Sequence, residues 1–228
     1  MQQPADTISR NVMEAAIRND TLPTPGCCRI VLIGYRATGK TTVARYIAQR
    51  LLGWTWCDAD VELEQREGRT IADIFATDGE PHFRDLETEV LRELCRRNRC
   101  VVATGGGATM RAENRRLICS DGGNHDGSKD TGVTRSGEHG ALTGQPLIVW
   151  LTASAETIDR RIRGDATSRA RRPALTAAGE TDPLAEVHRL LTMREPFYRE
   201  IADLICDTET AAPEELAGWI IRVATGAE

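Results

Sequence analysis

Short apolar runs alternate with longer amphipathic segments along most of this 228-residue chain. Residues 30–33 form a continuous apolar run, which is typical of a strand buried on both faces. Further strands are predicted at residues 54–58, 100–104, 147–151 and 203–206, and helices at residues 41–52, 60–67, 70–78, 80–98, 110–118, 154–163, 182–200 and 213–224. Strands that alternate with helices predict an α/β fold, in which helices cover both faces of a five-stranded parallel sheet in a three-layer αβα arrangement.

Two segments interrupt this alternation. Residues 1–26 are polar and contain Pro23 and Pro25, so we expect a flexible extension ahead of a single domain at residues 27–228. Residues 119–144 are rich in glycine and almost free of large apolar side chains. Such a stretch contributes little to a core, and it is therefore predicted to be an inserted, mobile surface loop.

Composition narrows the class of protein. The net charge of −5 argues against bulk binding of nucleic acid, which usually requires a basic surface. No apolar run approaches the roughly 20 residues of a membrane-spanning helix, and the N-terminus lacks the pattern of a secretory signal. We expect a cytoplasmic monomer with no nucleic-acid or membrane partner. The seven cysteines include no Cys-x-x-Cys pair, and we interpret them as reduced thiols rather than a metal site.

One motif indicates nucleotide binding. Residues 34–41 read Gly-Tyr-Arg-Ala-Thr-Gly-Lys-Thr and match G-x-x-x-x-G-K-[ST] between a predicted strand and a predicted helix. In that setting backbone N–H groups wrap phosphates, Lys40 reaches the β- and γ-phosphates, and the Thr41 hydroxyl binds Mg²⁺. Because 27 of the 29 basic residues are arginine, the lysine at position 40 is itself informative. The motif alone does not distinguish a GTPase, a motor ATPase or a kinase.

Acidic residues and glycines follow the next two predicted strands. Asp58 and Asp60 end the second strand, where alternation would send both side chains to the same side. One carboxylate could then hold the water shell of Mg²⁺ while the other accepts a hydrogen bond from a substrate hydroxyl. A helix N-cap explains Asp60 equally well. Residues 105–107 are three glycines, which either let backbone approach a ligand closely or form a flexible turn.

Three arginines occupy informative positions. Arg84 lies on a predicted helix near Glu87, and Arg194 lies on a later helix. Because arginine forms bidentate pairs with carboxylates, both residues favour a substrate that is a carboxylic acid. Arg172 lies in a basic, proline-containing connection at about residues 164–180, which could close over bound phosphates as a lid. Any single arginine among 27 is more often a solvated surface residue.

Taken together, these residues resemble the shikimate kinase family over about residues 29–207. The resemblance rests on an ordered set of motifs: the phosphate loop, Asp58-Ala59-Asp60, Ile71-Ala72-Asp73-Ile74-Phe75, Gly79-Glu80-Pro81-His82-Phe83-Arg84, Thr104-Gly105-Gly106-Gly107, Arg172-Pro173-Ala174-Leu175, and Arg194 ahead of Phe197-Tyr198. It implies the P-loop kinase fold and transfer of the ATP γ-phosphate to the 3-hydroxyl of shikimate. The products would be 3-phosphoshikimate and ADP, in aromatic amino-acid biosynthesis, with Mg²⁺ as the cofactor.

The resemblance also implies the catalytic and nucleotide-binding residues. Lys40, Asp60 and Arg172 are implied to be catalytic, with Asp60 accepting the proton of the attacking hydroxyl and Arg172 stabilising charge on the transferring phosphoryl group. Mg²⁺ is implied to bind Thr41 directly and Asp58 through water. The residues implied to bind ATP are Ala37, Thr38, Gly39, Lys40, Thr41, Thr42 and Arg172.

The substrate end of the site is implied in the same way. Arg84 and Arg194 would bind the shikimate carboxylate, Glu87 would orient Arg84, and the Gly106 N–H would touch the substrate, whose ring hydroxyls Asp60 would bind. Ala37 stands where the family usually has glycine. We expect little harm from this difference, because the general motif requires glycine only at the other two positions.

Two other functions stay open at this stage. Another small-metabolite kinase, such as a gluconate-type kinase, would share the architecture, although Arg84, Arg194 and the triple glycine favour shikimate. A non-catalytic nucleotide-binding module belongs to a different class. The presence of Lys40, Thr41 and the two aspartates argues against such a module.

Overall fold

The computed structural model describes residues 27–121, 144–164 and 182–226 of the chain. The strands lie at Arg29–Ile33 (β1), Thr55–Asp58 (β2), Cys100–Ala103 (β3), Leu147–Thr152 (β4) and Leu204–Asp207 (β5). The α-helices within these ranges lie at Lys40–Arg50 (α1), Ala59–Glu67 (α2), Ile71–Thr77 (α3), Gly79–Leu94 (α4), Ala112–Cys119 (α5), Ala155–Gly164 (α6), Pro183–Ile201 (α7) and Pro213–Thr225 (α8). The predicted N-terminal extension, nearly all of the predicted insertion and nearly all of the predicted lid fall outside the described residues.

The five strands form one parallel sheet in the order β2-β3-β1-β4-β5. The first strand therefore lies at the centre, where Val31 is paired with Val102 on one side and with Ile148 on the other. Because all the strands point the same way, their carboxyl ends meet at a single edge of the sheet. The predicted α/β fold with a five-stranded parallel sheet is confirmed.

Residue alternation divides the core between the two faces of the sheet. Val31 and Ile33 of β1 pack with apolar side chains of α2, α3, α4, α5 and α7 on one face. Ile30 and Leu32 pack with side chains of α1 and α8 on the other. All five residues of β1 are fully buried, as expected for a central strand covered by helices on both sides. None of the described helices has the length and apolar character needed to cross a membrane.

The end of α4 differs from its predicted position. The sequence pattern predicted helix to residue 98, whereas α4 ends at Leu94. Two backbone hydrogen bonds, from Arg96 to Glu93 and from Arg97 to Leu94, tighten the chain beyond the helix. Arg99 then takes a left-handed conformation, with φ of 51°. This turn is needed because the chain must reverse to enter β3 at Cys100.

Candidate active site

The phosphate loop joins β1 to α1, and its shape depends on two glycines. Gly34 has φ of 134°, and a Cβ at this position would lie 2.2 Å from the carbonyl oxygen of Leu151 in β4. Gly39 has φ of 87° and is the N-cap residue of α1. A side chain at either position would be strained. The loop is therefore held against the carboxyl end of β4 and delivers the chain directly into the N-terminus of α1, where unpaired N–H groups favour anions.

Ala37 shares the unusual backbone conformation of these glycines. Its φ is 62°, in the left-handed region that costs a residue with a Cβ about 1–2 kcal/mol. The general motif does not reveal this demand, since it leaves position 37 open. The glycine that the family usually has at this position would meet the same demand without strain.

Lys40 and Thr41 occupy the first turn of α1. The Lys40 side chain is buried, and its Nζ donates hydrogen bonds to the carbonyl oxygens of Gly34 at 2.8 Å and Tyr35 at 2.6 Å. Thr41 is exposed, and its hydroxyl donates to Oδ2 of Asp58 at 2.5 Å. The Lys40 amine thus lies inside the loop, while the Thr41 hydroxyl and the Asp58 carboxylate are in contact at the edge of the loop.

Asp58 and Asp60 are placed differently from the prediction. The strand-alternation argument is wrong, because β2 ends at Asp58 and α2 begins at Ala59. Asp58, rather than Asp60, is the N-cap of α2: its Oδ1 accepts from the backbone N–H groups of Asp60 at 3.0 Å and Val61 at 3.4 Å. Both side chains still line one cavity. Helical rotation brings Asp60 to this cavity from the first turn of α2.

A cavity of about 520 Å³ lies at the carboxyl edge of the sheet. Its lining includes residues 36–43, so every loop residue predicted to bind ATP faces it, together with Asp58, Asp60 and Gly106. Thr104, which follows β3, and Thr208, which follows β5, complete the strand-end lining. Positive and negative groups therefore share one compartment at the point where open parallel sheets bind their ligands.

The three glycines after β3 leave room for side chains of this same chain. A Cβ on Gly105 would lie 2.6 Å from Oε1 of Glu87 and 2.9 Å from Oδ1 of Asp60. A Cβ on Gly107 would lie 2.8 Å from both terminal nitrogens of Arg84. The turn at residues 105–107, here called the glycine turn, therefore requires glycine because the charged side chains around it leave no space for a Cβ. A ligand that approaches this backbone closely would add to the same requirement.

Arg84 is fixed by two carboxylates of its own helix, α4. Its Nη1 donates to Glu87 at 2.9 Å, and its Nε and Nη2 donate to Glu80 at 3.2 and 3.0 Å. Burial lowers the pKa of the guanidinium, but Glu87 and Glu80 outweigh burial and the pKa is raised. Burial raises the pKa of Glu87, and Arg84 opposes this effect. The orienting contact of Glu87 with Arg84 is thus present in the geometry.

Arg194 approaches the glycine turn from α7. It is buried, and its Nη1 donates to the carbonyl oxygen of Gly106 at 3.2 Å, while the Tyr198 hydroxyl donates to the same oxygen. Its guanidinium carbon lies 5.2 Å from the centre of the Tyr35 ring. Among the described residues, Arg84 and Arg194 flank the turn without lining the cavity itself. Arg172 lies outside the described residues.

Sequence reasoning did not single out two arginines that line the cavity, Arg36 and Arg161. Arg161 of α6 donates to the carbonyl oxygens of Ala37 at 3.3 Å and Thr208 at 2.9 Å. It therefore joins the phosphate loop to the end of β5. With 27 arginines in the chain, only the three-dimensional contacts distinguish these two from surface residues.

A phosphate loop beside two carboxylates, at the carboxyl edge of a parallel sheet, defines the class of P-loop enzymes that act on nucleoside triphosphates, which includes the P-loop kinases. The family model described as shikimate kinase matches residues 36–225, and this chain belongs to the shikimate kinase family. A shikimate kinase of Syntrophus aciditrophicus is 37% identical over 198 residues, covering 85% of this chain and 89% of its own length. One of Chromobacterium violaceum is 36% identical over 190 residues, covering 83% and 86%.

Solved structures support the same assignment. The shikimate kinase of Acinetobacter baumannii in complex with shikimate is 31% identical to this chain. It matches with a TM-score of 0.70, over 90% of this chain and 96% of its own. The shikimate kinase of Aquifex aeolicus matches with a TM-score of 0.60 at 27% identity, over 87% of this chain and 96% of its own.

Proposed function

We propose that this chain is a shikimate kinase whose cavity transfers the γ-phosphate of ATP to the 3-hydroxyl of shikimate, giving 3-phosphoshikimate and ADP. The observation that carries the assignment is one compartment that holds the phosphate loop and Asp60, with the glycine turn and two arginines at its side. Family membership supplies the substrate class. The product belongs to aromatic amino-acid biosynthesis.

The nucleotide end of the reaction is assigned to residues 37–42. Lys40, with its amine at the loop carbonyls, would exchange these contacts for the β- and γ-phosphates. The N-terminus of α1 adds partial positive charge at the same place. Arg172, in the predicted lid, would bring a further cation to the transferring phosphoryl group. Phosphoryl transfer depends mainly on such positioning and charge neutralisation.

Thr41 and Asp58 fit a magnesium ion. Mg²⁺ prefers oxygen ligands and keeps several waters, and the Thr41 hydroxyl already lies 2.5 Å from a carboxylate oxygen of Asp58. Thr41 would bind the ion directly and Asp58 through its water shell. When bound, Mg²⁺ neutralises phosphate charge. The second oxygen of Asp58 is held by the N-terminus of α2, which fixes the carboxylate in place.

The acceptor end is assigned to Asp60, Arg84, Gly106 and Arg194. Asp60 would bind the ring hydroxyls of shikimate and accept the proton of the attacking one. Arg84 and Arg194 would bind the carboxylate, with Glu87 holding Arg84 in place. The Gly106 N–H would contact the substrate, while its carbonyl accepts hydrogen bonds from Arg194 and Tyr198.

The protein that carries this site is proposed to be a cytoplasmic monomer that acts on two small molecules. Residues 27–228 would form the catalytic domain, with residues 1–26 as a flexible extension and residues 119–144 as a surface insertion. Neither nucleic acid nor membrane is an expected partner, since the net charge is −5 and the described residues contain no membrane-spanning helix.

The proposal is tested by measuring ADP release from MgATP with and without shikimate, using gluconate as the control acceptor. ADP formed only with shikimate, together with 3-phosphoshikimate in equal amount, is the expected result. Turnover with gluconate instead would identify a gluconate-type kinase. Tight ATP binding without turnover on either acceptor would identify a non-catalytic nucleotide-binding module, and both results would contradict the proposal.

A further inference from the structure

Arg36 lies where the phosphate loop meets the acceptor side of the cavity. It is the third residue of the loop, and it lines the cavity together with Lys40 and Asp60. Its backbone nitrogen would lie only 3.1 Å from a Cβ on Gly106. The two atoms nearest to that position belong to Arg36 and Tyr35, so this part of the loop lies against the glycine turn.

The charge of Arg36 has no counterion within the described part of the chain. Its guanidinium makes no ion pair with a carboxylate there, and its Nε is buried without a hydrogen-bond partner among those residues. The guanidinium carbon lies 6.0 Å from the centre of the Tyr35 ring, whose centre is also 5.2 Å from the guanidinium carbon of Arg194. A cation in a half-enclosed position next to a ligand cavity is suited to an anionic ligand.

Three of the other cations lie at the two proposed ends of the site. Lys40 lies within the loop, at the nucleotide end, and Arg84 and Arg194 lie at the glycine turn, at the proposed carboxylate end. The backbone of Arg36 connects these ends, because Arg36 belongs to the phosphate loop and its nitrogen lies against the glycine turn. We propose that Arg36 is a further catalytic residue, which donates hydrogen bonds to the phosphoryl group as it passes from ATP to shikimate. This inference rests on the proposed function.

The step places Arg36 at the group whose bonds change. The 3-hydroxyl oxygen of shikimate forms a bond to the γ-phosphorus, while the bond from that phosphorus to the oxygen shared with the β-phosphate breaks. The proton of the hydroxyl goes to Asp60, and ADP leaves with the electron pair of the broken bond. Arg36 would donate to the non-bridging oxygens of the phosphoryl group throughout, and would then hold the phosphate of the product.

The test compares Arg36→Met, Arg36→Lys and the control Arg45→Met, which removes an exposed arginine from α1. For each variant, kcat and both KM values are measured, together with the affinities for shikimate and 3-phosphoshikimate. Arg36→Met is expected to lower kcat by about 10- to 100-fold, which corresponds to about 1.4–2.7 kcal/mol. It is expected to weaken binding of 3-phosphoshikimate by about tenfold while the affinity for shikimate changes less than about threefold.

Each outcome decides the inference. Partial recovery of kcat in Arg36→Lys, with Arg45→Met unchanged, supports a cation at the phosphoryl group. Equal losses of affinity for shikimate and 3-phosphoshikimate in Arg36→Met would place Arg36 at the substrate carboxylate and overturn the inference. A kcat of Arg36→Met within twofold of that of the unsubstituted protein would also overturn it. Thermal unfolding with and without MgATP tests whether a variant with a low kcat is folded and still binds the nucleotide. If the unsubstituted protein fails to phosphorylate shikimate, the proposed function fails first.

Discussion

At the scale of single residues, the position of the Asp60 side chain is set by where helix α2 begins and by the side chains around it. Its Oδ1 lies 2.9 Å from the position that a Cβ on Gly105 would take, close to Glu87 and on the wall of the cavity. This location follows from the first turn of α2, which Asp58 caps. The Asp60 carboxylate is therefore held beside the glycine turn, whereas Asp58 accepts a hydrogen bond from Thr41 of the phosphate loop.

Asp60→Asn is expected to lower kcat with shikimate by about 100-fold or more, because an amide cannot accept the proton of the attacking hydroxyl. The fold and the affinity for MgATP should persist, since asparagine has the same shape and the phosphate loop is untouched. Steady-state kinetics and nucleotide titration measure the two effects separately. Near-normal turnover of this variant would remove Asp60 from the mechanism.

Ala37→Gly is expected to stabilise the protein by up to about 1 kcal/mol, because glycine has no strain in the left-handed conformation at φ of 62°. The greater conformational freedom of glycine in the unfolded chain offsets part of this stabilisation. Arg99→Gly is the matched control, because Arg99 is also left-handed, with φ of 51°, and lies far along the chain from the loop. Urea unfolding measures the stability of both variants. The KM for ATP should change less than about threefold in each variant, and a stability loss in Ala37→Gly would contradict the strain argument.

Half of the residues that line the cavity were predicted from the sequence, with two clear limits. The loop, Asp58, Asp60 and the glycines were recognisable because fixed spacing and backbone demands leave marks in the sequence. Arg36 and Arg161 were not recognised, since their place depends on contacts with Gly106 and Thr208, which lie far away along the chain. The role of Asp58 as a helix cap required knowing where β2 ends.

At the scale of elements, the N-terminus of helix α6 is held by a carboxylate from the segment after β5. Ser154 precedes the helix, and its hydroxyl accepts a hydrogen bond from the backbone N–H of Thr157 at 3.2 Å. Glu209 accepts hydrogen bonds from the backbone N–H of Ser154 at 2.8 Å, from the Ser154 hydroxyl at 2.9 Å and from the Thr157 hydroxyl. These bonds, that of Thr157 first, lower the pKa of Glu209. The contact matters because α6 carries Arg161 to the phosphate loop.

Glu209→Ala is expected to cost about 1 kcal/mol of stability at pH 7, because it removes the acceptor of the hydrogen bonds from Ser154 and Thr157. Because the folded-state pKa is lowered, the contribution of the charge is complete above the ordinary pKa of 4.5 and disappears as the pH falls through the folded-state value. Urea unfolding at pH 7 and pH 3.5 should therefore show a smaller difference at the lower pH. The control Glu195→Ala removes an exposed pair with Arg199 and should cost at most about 0.5 kcal/mol at pH 7.

The elements themselves were largely predictable from periodicity. The five strands begin and end within one residue of their predicted bounds, because strands buried on both faces form short apolar runs between clear helical patterns. The end of α4 was missed since the polar residues after Leu94 look equally helical in sequence, and only the turn into β3 ends the helix. Strand order is set by long-range packing and is visible only in the sheet.

At the scale of the whole molecule, we expect a single copy in solution. Within the described residues, the large apolar side chains that are exposed are Leu52, Trp56 and Met193. Scattered apolar residues of this kind are normal on a monomer. Sedimentation equilibrium is expected to give a mass near 25.1 kDa at micromolar concentration. A mass of twice this value, independent of MgATP, would contradict the prediction.

The crowded glycine turn also bears on chemical inhibition. A compound that binds the backbone of Gly105, Gly106 and Gly107 would contact positions where even one added methyl group meets a charged side chain or the phosphate loop at 2.6 to 3.1 Å. Resistance to such a compound could not arise there by simple substitution without also displacing Asp60, Glu87, Arg84 or the phosphate loop. Escape would have to come from outside the turn, which makes this backbone a durable target.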